Sequence, residues 1–230
     1  MADITTINSN ISGSDHLSLA LKSAYDRAEQ GQHKLPQWLL DLDGMSGKKY
    51  RAVINGIVEL VSDARYLEIG SWKGSTVCSA IWGNTCRATA IDNWSQFDGP
   101  KDEFDQNTAQ CVTGAINFNF IESDFRQVDY SQIGKYNVYM FDGPHSDQDQ
   151  YDGIGLVLPA LDNEFILIVD DWNWDGVRSG TLSALNNLNL EIKSYLEIRT
   201  TDNNTQPDES RGRQHGDWHN GYYMAVISKK

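Results

Sequence analysis

Basic residues are scarce in this sequence. It has 19 Lys and Arg against 32 Asp and Glu, a formal net charge of −13. Nonspecific phosphate binding needs clustered cations, so this balance excludes a general nucleic-acid binder and disfavours docking on an anionic membrane surface. Long apolar runs are missing too, and none approaches the roughly 20 residues of a spanning helix. The opening residues, Met1-Ala2-Asp3-Ile4-Thr5-Thr6, have neither a basic n-region nor an apolar h-region, so no signal peptide is expected. Cysteine is sparse: Cys78, Cys86 and Cys111 are odd in number and lack a CxxC spacing, which argues against a disulfide framework and a zinc cluster. Buried, reduced thiols and a cytoplasmic location are expected.

What is present fits a globular domain. At 230 residues with 40% hydrophobic content, the chain can bury a sizeable core as one domain, or one domain with an appendage. Residues 1–13 are polar and expected to fray. Ser14-Asp15 can cap a helix over about 16–30, whose apolar stripe includes Leu17, Leu21 and Ala24, and which Gly31 ends. A short helix near 35–40 and a third over about 48–63 follow, so residues 1–60 are expected to form an N-terminal helical cover or lid. From residue 61 to 230 strands and helices alternate. Strands are predicted over 65–69, 87–91, 117–121, 136–141 and 164–170, with helices over 75–83, 101–113, 129–132, 147–161 and 176–187. Two more strands, 190–199 and 222–228, flank the polar loop 201–221. The expected fold is α/β: a Rossmann-like, doubly wound, mostly parallel seven-stranded sheet with an antiparallel C-terminal edge hairpin.

The stretch from Ala64 to Cys78 organises the rest. A short apolar strand runs into Gly70-Ser71-Trp72-Lys73-Gly74, and a helix opens at Ser75. This is a place where backbone can approach a ligand closely. In open α/β sheets the ligand lies beyond the carboxyl ends of the strands, and five successive strands of this chain deliver acids there: Glu68, Asp92-Asn93, Glu122-Ser123-Asp124-Phe125, Asp142 and Asp170-Asp171. Asp92, 22 positions after Gly70, can accept hydrogen bonds from ribose hydroxyls or simply turn the chain. Asp124 with Phe125 can meet an adenine, or form an ordinary turn. Asp142, Asp170 and Asp171 would repel one another unless a hard divalent cation sits among them, the alternative being three solvated turn acids. His145 can act as a proton acceptor, a further ligand or a helix cap.

Together these residues resemble the class I S-adenosylmethionine-dependent methyltransferases. Glu68-x-Gly70-x-x-x-Gly74-Ser75 is similar to their first motif, in an ExGxxxGxS form. With Asp142 followed by Asp170-Asp171, the pattern resembles the metal-dependent small-molecule O-methyltransferases, both the catechol type and bacterial macrolide and aminocoumarin sugar O-methyltransferases. The catechol enzyme has Lys where this chain has His145. The resemblance covers about residues 60–190. It implies that Glu68, Gly70, Ser71, Gly74 and Ser75 cradle the methionine part of S-adenosylmethionine, that Asp92 and Asn93 meet the ribose, and that Asp124 and Phe125 face the adenine. It further implies that Asp142, Asp170 and Asp171 hold Mg²⁺ or another divalent cation such as Mn²⁺, and that His145 and Asp142 are catalytic. Trp172, Trp174, His215, Trp218 and His219 are candidates for the pocket of a hydroxylated small-molecule acceptor, a sugar or a phenol, with no nucleic-acid or membrane partner. A homo-oligomer is compatible with the sequence.

Three rival readings stand beside it. A nicotinamide-dependent oxidoreductase would also use a strand, a Gly turn and Asp92, but Gly70 to Gly74 lacks the GxGxxG spacing. A metal-dependent hydrolase would use the acids and His145 but leave the Gly-bracketed turn without a purpose. A non-catalytic S-adenosylmethionine-binding module would bind the donor without turnover.

Overall fold

A computed structural model of the chain describes residues 6–207 and 216–230. Its elements in chain order are β1 (Thr6–Asn10), α1 (His16–Glu29), α2 (Gln37–Leu40), α3 (Lys48–Leu60), β2 (Arg65–Ile69), α4 (Ser75–Ile81), β3 (Cys86–Asp92), α5 (Lys101–Cys111), β4 (Ile116–Glu122), β5 (Tyr136–Phe141), α6 (Asp147–Gly155), β6 (Leu161–Val169), α7 (Asp175–Asn187), β7 (Leu190–Arg199) and β8 (Tyr222–Lys229). One eight-stranded sheet has the order β1-β7-β8-β6-β5-β2-β3-β4. The block β4-β3-β2-β5-β6 is parallel, while β8 runs antiparallel to β6 and β7, and β1 antiparallel to β7.

The central strands are buried on both faces, and their alternation sorts side chains into two cores. In β5, Val138 and Met140 join the core beneath α1, α3 and α4, whereas Tyr139 and Phe141 join the core beneath α6 and α7. Residues of β2, β6 and β8 divide the same way: Tyr66, Ile168 and Met224 to one side, Leu67, Val169 and Tyr223 to the other. The N-terminal helices thus pack onto the sheet directly, with Leu21, Ala24, Ile54 and Ile57 in the first core. Among the described residues, no helix is long and apolar enough to cross a membrane. All three cysteines are buried free thiols.

Several boundaries differ from the sequence-based expectation. The sheet has eight strands rather than seven, because residues 6–10 pair along β7 from Thr6↔Arg199 to Asn10↔Tyr195. Every residue of β1 is exposed, so no apolar alternation marks it, and the backbone ladder to a distant strand, with one side-chain bond from Asn8 to Glu197, holds it. No helix forms at 129–132: the Asp129 side chain instead takes the N–H and hydroxyl of Ser131, which makes an Asx turn. The helix expected over 147–161 stops at Gly155, and a single 3₁₀ turn over Leu158–Ala160 carries Pro159, which cannot donate to a continuing helix. The next strand accordingly begins at Leu161, earlier than predicted.

Candidate functional site

From β2 the chain adds β3 and β4 on one side and then returns to place β5 on the other. The order reverses between β2 and β5, and a crevice opens at their carboxyl ends. Gly70 makes the closest approach there. Its φ is +85°, and a Cβ on it would lie 1.8 Å from the Asp142 carbonyl oxygen, so glycine alone fits between the ends of β2 and β5. Beyond it lies a cleft of about 360 Å³.

One end of the cleft is built from the turns after β2, β3 and β4. Gly70, Trp72, Asp92, Asn93, Asp124 and Phe125 line it. Asp92 organises this end: Ser71 N–H and Trp72 N–H donate to its Oδ2 at 2.8 and 2.9 Å, and Trp94 N–H donates to its Oδ1 at 2.8 Å. Of the roughly four acceptor positions on a carboxylate, these bonds leave one on Oδ1 of this cleft-lining residue. Asp124 accepts from Arg126 N–H at 2.9 Å, and the Arg126 guanidinium lies over the Phe125 ring. The loop after β3 carries left-handed backbone at Trp94, Phe97 and Asp98, and its Phe97 carbonyl accepts from Trp72 Nε1 at 3.1 Å.

The other end holds the acids of β5 and β6. Ligand atoms of Asp142, His145 and Asp171 lie within 4.8 Å of one another. His145 Nε2 is 2.7 Å from Asp171 Oδ2, and Asn220 Nδ2 donates to Asp171 Oδ1 at 2.7 Å. These partners outweigh burial and hold the Asp171 carboxyl below its usual range, while the bond to Asp171 raises the His145 imidazole. Burial and the charge of Asp171 push Asp142 up to about 7. Burial and the charges of Asp142 and Asp171 push Asp170 well above the usual carboxylate range, and Asp170 hydrogen-bonds to Asp142. The two acids of the strand-six pair therefore differ in environment. Asp171, in a left-handed turn with φ +56°, faces His145, whereas Asp170 takes the Asp171 N–H and leans on Asp142.

The expected site residues fall into three groups. Gly70, Asp92, Asn93, Asp124, Phe125, Asp142, His145, Asp170, Asp171, Trp174 and His219 share the cleft. Glu68, Ser71, Gly74 and Ser75 lie behind it. Glu68 is wholly buried under the turn and receives the Tyr66 hydroxyl, Gly74 packs against Phe104, and Ser75 meets Ser46 through their hydroxyls at 3.1 Å. Two of the aromatic candidates are core residues rather than cleft residues. Trp172 is 1% exposed, stacks on Tyr223 and donates Nε1 to Glu197; Trp218 is 3% exposed and stacks on Tyr25. Adjacency to Asp171 is no guide for Trp172, because the turn sends its side chain into the core beneath α6 and α7. His215 lies outside the described residues. Met45, Gln206 and Asn220 line the cleft without having been expected there. They come from irregular segments far apart in sequence, where no motif spacing applies.

Residues 67–172 match the family model of a methyltransferase domain. No curated protein sequence matches the chain. Among solved structures, similarity extends to the O-methyltransferase TomG from Streptomyces achromogenes, in complex with S-adenosylmethionine, at 14% identity and TM-score 0.55, covering 91% of this chain and 89% of that one. The cofactor-bound protein Rv0187 from MTB matches at 14% identity and TM-score 0.51, over 95% and 93% of the two chains. TrmN from Thermus thermophilus matches at 12% identity and TM-score 0.52 over 78% of this chain, which spans about half of that protein, 48% of its length. Residues 67–172 thus carry the methyltransferase-domain match, within a chain that has the α/β Rossmann-like methyltransferase fold.

Proposed function

We propose that this protein is an S-adenosylmethionine-dependent O-methyltransferase acting, with a divalent cation, on a hydroxyl of a small molecule such as a sugar or phenol. The observation that carries the reading is one continuous cleft. It joins the Gly70 turn and Asp92 at one end to Asp142, His145 and Asp171 at the other. The TomG likeness, to a protein described as an O-methyltransferase, agrees with it.

The Gly70 turn admits the donor to the strand ends, the free acceptor position on Asp92 Oδ1 is set for a ribose hydroxyl, and Phe125 offers an apolar wall for the adenine. The paired carboxylates of Asp142 and Asp171, Asp142 pushed up by burial and by the charge of Asp171, are oxygen donors that would suit Mg²⁺ or Mn²⁺, with the His145 imidazole beside them. Bound there, the donor would supply an electrophilic methyl group, and the cation would supply positive charge that lowers the pKa of the acceptor hydroxyl. Asp142 and Asp171 would hold that cation and, through it, the acceptor's position. His145 takes the hydroxyl proton at Nδ1 while its Nε2–H donates to Asp171, whose carboxylate stabilises the imidazolium that results.

The test is calorimetry with S-adenosylhomocysteine, then transfer of labelled methyl to a panel of hydroxylated small molecules in Mg²⁺ and in chelator. Donor-product binding in the micromolar range is expected, with turnover stimulated by Mg²⁺ and abolished in Asp171→Ala. Absence of binding to either donor form, or heat with NAD instead, overturns the assignment. Equal turnover in chelator and in Mg²⁺ removes the cation from it.

A further inference from the structure

Arg51, in the first turns of α3, has no exposed surface. Among the described residues no carboxylate forms an ion pair with it, an unusual state for a buried guanidinium. Its Nη1 and Nε donors go instead to the carboxyl end of α2 and the irregular segment after it, while Nη2 finds no partner among the described residues. Nη1 donates to the carbonyl oxygens of Leu39, Leu40 and Leu42 at 2.9, 3.2 and 2.8 Å, and Nε donates to Ser46 Oγ at 2.9 Å. The strap 41–47 is thereby tied, at Leu42 and Ser46, to the end of α2 through one planar fork, which a lysine ammonium cannot reproduce.

The strap is anchored on two segments that stand behind or beside the cleft. Ser46 Oγ meets Ser75 Oγ at the start of α4, and Gly44 packs so tightly on Ser75 that a Cβ there would lie 2.0 Å from its hydroxyl. At the other end, Gly47 lies against Asp217, and Lys48 N–H and Tyr50 N–H donate to the carbonyls of Gly216 and Asp217 at 2.8 and 3.1 Å. That second segment continues into His219 and Asn220 in the cleft wall. Between these anchors the strap delivers Met45 into the cleft.

We propose that Arg51 is a positioning residue. Through Ser46 it fixes the strap, so that Met45 closes the donor end and the 216–220 segment stands at a set distance across from it. The assignment of the donor rests on the function proposed above.

The experiment measures S-adenosylhomocysteine affinity by calorimetry and amide hydrogen exchange over 41–47 and 216–220, in wild type, Ser46→Ala, Ser46→Thr and Arg51→Lys. Ser46→Ala removes the hydroxyl relay and leaves the Arg51 contacts to carbonyls in place. It should weaken binding at least tenfold and speed exchange in both segments, with α6 and α7 unchanged. Ser46→Thr keeps the hydroxyl and should restore both readouts. Arg51→Lys should lose more; if it fails to fold, Ser46→Ala decides. A Ser46→Ala protein that binds and exchanges like wild type overturns the proposal, as does equal loss in Ser46→Ala and Ser46→Thr. If wild type itself binds no S-adenosylhomocysteine, the proposed function and the donor-closing role both fail. The exchange data then decide only whether Arg51 holds the strap.

Discussion

Glu68 has no exposed surface; the Tyr66 hydroxyl donates to its Oε2, and its Oε1 has no partner. Burial first, and the charges of Asp142 and Asp92 after it, push this carboxyl up to about 8. The sign follows from proton binding. Between about pH 4.5 and 8 the unfolded chain has released the proton that the folded protein still holds, so the contribution of Glu68 is full below that window and is lost as pH rises through it. Glu68→Gln should therefore flatten the fall in stability between pH 5 and 8 by up to roughly 1.4 kcal/mol per pH unit, measured by urea melts across that range. Parallel pH profiles for the two proteins would refute it. His145 is shifted upward for a different reason, its hydrogen bond to Asp171. Its pair contributes most below the ordinary histidine pKa and fades as pH rises through the raised value. In Asp171→Asn, the His145 ring protons should titrate at lower pH than in wild type, as NMR can follow; an unmoved titration would separate the imidazole from Asp171.

At the scale of elements, the turn between β2 and α4 is decided by space. Gly70→Ala puts a methyl group 1.8 Å from the Asp142 carbonyl oxygen on a backbone at φ +85°. It should cost about 2–4 kcal/mol and abolish S-adenosylhomocysteine binding, as thermal melts and calorimetry can read. A variant that keeps both would show that β2 and β5 tolerate a gap at their ends. Gly70 and its neighbours were legible in sequence because a left-handed turn after an apolar strand demands glycine. The pairing of β1 was not, since its Thr-Ile-Asn-Ser-Asn carries no pattern and its partner lies about 190 residues away. Pro159 breaks the helix after α6, yet the preceding polar and apolar residues continue a helical spacing, so the early start of β6 was equally hidden.

For the whole molecule, ligand binding should appear as stabilisation. If S-adenosylhomocysteine is supplied at 100 times its dissociation constant, about 2.7 kcal/mol is added and the melting temperature should rise by roughly 5–10 °C. Mg²⁺ or Mn²⁺ should raise it further in wild type and not in Asp171→Ala. No rise with either ligand would leave the cleft without its proposed occupants.

What the sequence by itself determined is local and periodic. The parallel strands announce themselves as short apolar runs, the Gly-bracketed turn by its φ requirement, and the row of strand-end acids by the regular alternation that brings each strand out at the same rim. Only the tertiary structure decided which neighbours in the chain part company. It turned Trp174 to the cleft and Trp172 to the core, set Asp171 against His145 and Asp170 against Asp142, and buried Arg51 among carbonyls at the end of α2 and the start of the strap. Those outcomes depend on burial and on partners contributed by distant segments, and a linear spacing carries no record of either.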